Sequence, residues 1–431
     1  MGQRVILDVA GQLTLDDDLD LTVSGLRPGS VVSVTAALEA PDGLRWSSGA
    51  DFAADEAGEV RVATTAPLPG SYCGADPNGL LWSLAPQRRA DAETSTLLSG
   101  LEPLDIELTC TSGGTGPSQA VTVTVGRMTQ GTTRQAVRQP DFAGMLYTPA
   151  GQGPFRPVLV VGGSGGDANE PLAAYLAGHG YLALALPYFA APGLPGELVD
   201  IELEYFDRAL RWLGALPTAV PGPVAVVGRS RGGELALLLG LHFGADPVVA
   251  FVPSGLVHAG IRRGAEGWMS DVPAWRLGGR AVPYLAHDGG TLEWRDGAIV
   301  CTPTYLRDLG DWQRVHAATM PLQECRSRVL LISGANDDVW PSALFGELAA
   351  SRLQSRPGGS HEHLVVAGAG HRFLPPVLPA PVTTARHAQA AERLALGGTP
   401  AANARGGRLA YAAMLRTLGA ETGAETDAER S

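Results

Sequence analysis

Two Gly-x-Ser-x-Gly patterns set a serine hydroxyl between glycines: Gly162-Gly-Ser164-Gly-Gly166 and Gly228-Arg-Ser230-Arg-Gly232. A serine hydroxyl becomes a useful nucleophile when a base takes its proton, and histidine titrates near the working pH. Ser230 follows the apolar run Val224-Ala-Val-Val and runs straight into a helical pattern over 234–241. A serine on a sharp strand-to-helix turn is a nucleophile elbow, and small residues are needed on either side because backbone crowds there. The helix start also aims N–H groups and a positive dipole end at any developing oxyanion. Ser164 follows a strand too, but Asp167-Ala-Asn-Glu-Pro171 delays the next helix. Its loop comes earlier in the chain and suits the supply of an oxyanion donor rather than the nucleophile. The expected donors are the backbone N–H of Arg231 and one from Gly163 or Ser164.

The remaining catalytic groups should follow in the order acid, then histidine. Val329-Leu-Leu-Ile reads as a buried strand, and Asp337 lies three residues after Gly334, with Asp338 as its neighbour. Leu364-Val-Val-Ala-Gly-Ala-Gly-His371 reads as a further strand with a histidine on the loop behind it. A carboxylate there would fix the imidazole tautomer and stabilise the imidazolium. The expected triad is Ser230, Asp337 and His371. His361, His363 and His179 lack that placement and read as packing or surface residues. The His361-x-His363 pair has no third ligand in view, so neither a metal nor a cofactor is expected.

These residues need a scaffold. Residues 1–128 show short alternating runs such as Val31-Val-Ser-Val-Thr-Ala, punctuated by Gly, Pro and Asp, and predict an all-β sandwich. A polar, weakly patterned stretch over 129–138 predicts a linker. From 139 to 420 near-continuous apolar strands, Val158-Leu-Val-Val and Val248-Val-Ala-Phe-Val among them, alternate with helical patterns. The helical patterns fall over 171–178, 198–213 and 234–241. This grammar predicts an α/β domain with a mostly parallel sheet, interrupted by a Trp- and Gly-containing, lid-like insertion at about 254–320. An acidic tail over 421–431 predicts fraying.

The 431 residues allow two or three domains. A net charge of −12 argues against nucleic acid as a partner. No apolar run reaches the ~18 residues of a membrane span, and the N-terminus lacks a signal-like stretch, so a cytoplasmic protein without a membrane partner is expected. Four scattered cysteines, Cys73, Cys110, Cys301 and Cys325, predict reduced thiols. There is no lysine, which with the wealth of Ala, Gly and Arg points to a GC-rich bacterial source.

The chain resembles the acyl-CoA thioesterases related to bile acid-CoA:amino acid N-acyltransferase. The resemblance rests on Gly70-Ser-Tyr-Cys-Gly-Ala-Asp-Pro-Asn-Gly-Leu-Leu-Trp82, Ala177-Gly-His-Gly-Tyr-Leu-Ala-Leu-Ala185 and Glu202-Leu-Glu-Tyr-Phe206. It rests equally on Gly334-x-x-Asp337-x-x-Trp340-x-Ser342, Gly368-x-Gly-His371 and Gly398-Thr-Pro400. It implies an immunoglobulin-like N-terminal domain, an α/β-hydrolase catalytic domain, the same triad and a small acyl thioester substrate. That thioester is acyl-CoA or a carrier-protein-bound relative. Trp268, Trp275 and Trp340 are candidate acyl contacts, and Arg262 and Arg263 candidate phosphate contacts. Serine at 230 favours hydrolysis: the resemblance implies a cysteine there in the conjugating branch, and an acyl-cysteine thioester is more prone to aminolysis relative to hydrolysis. The alternative is an acyltransferase or cyclase handing the acyl group to an amine, hydroxyl or internal nucleophile.

Overall fold

The computed structural model describes residues 5–87, 96–112, 118–263, 270–287, 289, 292–356, 360–389 and 392–419. Trp268 and the acidic tail lie outside these residues. The chain forms two compact units. The first takes Met1–Thr129 with Leu374–Thr383 and Thr399–Arg408; the second takes the remainder.

The first unit is built from two sheets. Six strands run in the order Gln12–Leu13, Ser118–Val125, Leu104–Ser112, Val31–Glu39, Arg45–Ala53 and Ala85–Pro86, and three more join Ile6–Asp8, Thr22–Ser24 and Val60–Arg61. The period-2 alternation of Val31–Glu39 is realised directly: Val32, Val34, Ala36 and Leu38 are buried while Val31 and Glu39 are exposed. Trp82 is also buried. Its indole N–H donates to Asp76 at 3.0 Å, and Asp76 takes a forked ion pair from Arg408. The Gly-Leu-Leu-Trp motif therefore anchors packing within this unit.

The second unit carries an eight-stranded sheet. Its strands are β1 (Thr133–Arg138), β2 (Ala143–Thr148), β3 (Arg156–Val161), β4 (Tyr181–Ala185), β5 (Ala225–Arg229), β6 (Val248–Phe251), β7 (Val329–Gly334) and β8 (His361–Val366). Their spatial order is β1-β2-β4-β3-β5-β6-β7-β8. The first two pairings are antiparallel and all the others parallel. The stretch read as a linker is thus partly the edge strand β1. Its polar residues fit an edge, where Thr133 to Ala136 are all exposed.

The central strands bury both faces, so they read as unbroken apolar runs: Val158, Leu159, Val160 and Val161 are all fully buried. Helix α1 (Glu170–Gly178) connects β3 to β4, and α2 (Glu204–Gly214) precedes β5. The helical pattern expected from residue 198 starts later, because Asp200 adopts a φ of +55° and Ile201–Glu202 pairs as a short strand with Trp275–Leu277. Helix α3 (Arg231–Phe243) follows β5 with no intervening loop, and residues 231–240 are buried throughout. Helix α4 (Ser342–Gln354) links β7 to β8. Described residues of the segment expected as a lid belong to the main core: Leu256, Ile261, Trp275, Leu285, Ile299 and Tyr305 pack in the same cluster as the sheet.

The chain winds from β3 one way to β4, then returns to β5 and continues the other way. The carboxyl ends of β3 and β5, where the winding reverses, are the usual ligand position of such sheets.

Candidate active site

Ser230 occupies the first position beyond β5. Its backbone is held at φ 59°, ψ −121°, a conformation that costs a non-glycine residue ~1–3 kcal/mol. Neighbouring backbone enforces it. The Ser230 N–H donates to the Phe251 carbonyl of β6 at 2.9 Å, and its own carbonyl accepts from Gly233 and Glu234 N–H. A Cβ on Gly228 would sit 1.9 Å from the Gly232 carbonyl oxygen, and one on Gly232 would sit 2.2 Å from that of Gly162. Only glycine fits at either position. Arg231 is the first residue of α3, so its N–H has no partner within the helix.

The glycine loop after β3 lies beside this turn. A Cβ on Gly163 would fall 3.5 Å from Ser230 Cβ and 4.0 Å from its Oγ. The loop carries anchors that the sequence did not reveal. The Tyr188 hydroxyl reaches the carbonyls of Gly162 at 2.9 Å and Gly163 at 3.2 Å. Ser164 Oγ lies 2.9 Å from His387 Nε2, and Gln389 Nε2 donates to the Gly165 carbonyl at 3.4 Å. His387 is buried, and that burial pushes its pKa down to about 4.

Asp337 follows β7 and is buried. One oxygen accepts from the N–H groups of Val339 at 2.9 Å and Trp340 at 3.3 Å; the other accepts from His371 Nδ1 at 2.8 Å. Asp338 pairs with Arg295 instead, and burial and Asp337 raise its pKa against the pull of Arg295. His371, after β8, donates its backbone N–H to Leu396 at 2.7 Å. The Trp340 ring lies 6.1 Å from the His371 ring at 73°, and its Nε1 donates to Val252, the residue after β6. Serine, acid and histidine thus leave the carboxyl ends of β5, β7 and β8, with β6 between the serine strand and the other two.

A charged network sits directly beneath the serine turn. Arg231 and Glu234 form a buried ion pair at 3.1 Å. The Arg231 guanidinium also holds the carbonyls of His258 and Ala259. Glu234 accepts from the Trp275 indole at 2.6 Å and from the His258 N–H at 3.2 Å. Burial still pushes the Glu234 carboxyl up to about 7, against the pull of Arg231 and these donors.

The other expected contacts fall in different places. Trp275 is fully buried with its N–H spent on Glu234, and Trp340 is 1% exposed and spent on Val252. Both support the site from behind rather than lining open space. Arg262 and Arg263 are exposed; Arg263 reaches Gln389 through Nε at 3.3 Å, and its backbone N–H donates to Glu197. His363 packs against Ser333 at 3.0 Å and Glu347. Among the described residues no helix is long and apolar enough to cross a membrane.

Known proteins can be set beside this geometry. Residues 16–139 match the acyl-CoA thioester hydrolase/BAAT N-terminal region, and residues 201–419 match the BAAT/acyl-CoA thioester hydrolase C-terminal region. Mouse acyl-coenzyme A thioesterase 6 is 30% identical over 417 residues, covering 94% of this chain and 93% of its own. Mouse acyl-coenzyme A amino acid N-acyltransferase 2 is 28% identical over 375 residues, covering 85% of each chain. Among solved structures, 2,6-dihydroxy-pseudo-oxynicotine hydrolase aligns with 54% of this chain and 60% of its own, at 15% identity and a TM-score of 0.34. With both regions matched in order over most of its length, the chain belongs to the family of acyl-CoA thioester hydrolases and bile acid-CoA:amino acid N-acyltransferases.

Proposed function

We propose that this protein hydrolyses a small acyl thioester, acyl-CoA or a close relative, through an acyl-serine on Ser230. The observation that carries the reading is the strained turn at Ser230, set at the head of α3, beside the Gly163 backbone and on the same sheet edge as the His371–Asp337 pair. A positive φ on serine is costly, and such strain persists where it serves a site.

In the proposed sequence His371 takes the Ser230 proton as Oγ attacks the thioester carbonyl. The oxyanion is held by the N–H groups of Arg231 and of Gly163 or Ser164, each such donor being worth ~3–4 kcal/mol in the barrier. The tetrahedral centre collapses, the C–S bond breaks, and His371 returns the proton to the departing thiolate. Water then attacks the acyl-serine with His371 again as base, releasing free acid and restoring Ser230. Asp337 keeps the His371 tautomer and orientation through both halves. We further read the N-terminal two-sheet unit as immunoglobulin-like and the protein as cytoplasmic.

Acyl transfer shares the first half of this sequence and differs in the acceptor. Product analysis by mass spectrometry over an acyl-CoA panel, with and without amino acids, tests the choice. Free acid that is unchanged by added amines supports hydrolysis; amide or ester products would replace water with another acceptor.

A further inference from the structure

We infer that the Tyr188 hydroxyl is a positioning residue for the oxyanion donors: by gripping two successive carbonyls it fixes which way the Gly163 and Ser164 N–H groups point. The inference rests on Ser230 being the nucleophile.

In a trans peptide the C=O and the following N–H point in opposite directions. Holding the Gly162 carbonyl therefore orients the Gly163 N–H, and holding the Gly163 carbonyl orients that of Ser164. One phenolic proton serves both carbonyls, at 2.9 and 3.2 Å. Both N–H groups are thereby turned away from the buried phenol, in a loop whose Gly163 backbone abuts Ser230. Such a device is needed here because the loop reads Gly162-Gly-Ser-Gly-Gly166. Glycines carry no side chain to resist a peptide flip, and a flip would present a carbonyl where a donor is required.

The clamp itself is rigid. Tyr188 is 2% exposed, and its ring packs against Phe189 at 5.1 Å, Phe206 at 5.3 Å and Trp275 at 5.7 Å. Burial raises its phenol pKa far above the working range, so the group remains a donor. The carbonyl of Pro187, one residue earlier, is held by the Tyr205 hydroxyl at 2.6 Å. The ring thus enters the site from a fixed chain on a fixed axis.

The experiment is steady-state kinetics of Tyr188→Phe on the acyl-CoA that the wild-type enzyme turns over fastest. It is paired with the affinity of an alkylboronic acid, whose tetrahedral adduct mimics the oxyanion. The variant should lose about ten- to hundredfold in kcat with KM within threefold, and boronate affinity should fall by a similar factor. Phe142→Leu, a comparable change in the same core cluster at a ring that packs on Trp212, should stay within about threefold on both readouts. Wild-type kcat in Tyr188→Phe, or an equal loss in Phe142→Leu, overturns the clamp. A second readout needs no variant: on boronate addition to the wild-type protein the Gly163 or Ser164 amide proton should move downfield. Unmoved resonances also overturn it. Ser230→Ala separates the two layers, since turnover that survives it removes the underlying reading, whereas Ser230-dependent turnover indifferent to Tyr188 removes the clamp alone.

Discussion

His371 Nδ1 lies 2.8 Å from an oxygen of Asp337, while the adjacent Asp338 turns to Arg295. Two consecutive carboxylates thus have different partners, although the sequence alone makes them near-equivalent. Asp337→Asn should lower kcat by about 10⁴, because an amide can present the wrong tautomer partner to the imidazole. Asp338→Asn should stay within a few-fold. Parallel kcat measurements on the two variants decide it, and a large loss confined to Asp338→Asn would reverse the assignment.

Beneath the serine turn, Glu234 is the counter-ion of Arg231 and the acceptor for Trp275. Glu234→Ala strands a buried guanidinium and an indole N–H, and should cost about 3–5 kcal/mol in urea denaturation. Glu234→Gln keeps an acceptor in place and should cost clearly less. Equal losses would mean that side-chain volume, rather than pairing, holds the network.

Gly232 faces the Gly162 carbonyl at a separation that no side chain tolerates. Gly232→Ala should therefore displace the turn and lower stability by about 3 kcal/mol or more. Gly11→Ala, where a Cβ would meet nothing within 4 Å, should be near neutral. Thermal midpoints of the two variants make the comparison, and a harmless Gly232→Ala would refute the crowding argument.

Acid should weaken the fold through His387. The unfolded chain takes up a proton on this ring near pH 6.5, the folded protein only near 4. Between those values the unfolded state binds more protons, so stability falls as pH drops through the window. The contribution is up to about 3 kcal/mol for a group this buried. His387→Gln should show a shallower loss between pH 7 and 4.5 in urea titrations. An unchanged slope would show that the ring is not held neutral.

Much of the candidate site is legible in the chain because its parts are local. The strand, glycine-flanked serine and helix at 224–241 are contiguous, and Asp337 and His371 each close a short apolar strand. What escaped were the partners that only tertiary folding supplies. Tyr188 reads as one more aromatic after a strand, and His387 lies 223 residues from the Ser164 hydroxyl it meets. Trp275 looked like a pocket residue because aromatic composition does not report burial; its indole N–H is taken by Glu234. The edge strand over 133–138 is hard to read because its exposed polar residues resemble a linker, and the core residues within 254–320 are hard to read because they are scattered along short apolar stretches.

The account turns on an acyl group residing on Ser230. Intact-protein mass spectrometry after rapid quenching with an acyl-CoA substrate tests this directly. The expected result is a transient mass increase equal to the acyl group, mapped to the peptide containing Ser230, absent in Ser230→Ala and decaying to free acid. Turnover that persists undiminished in Ser230→Ala, or an adduct mapped to Ser164 instead, would contradict it.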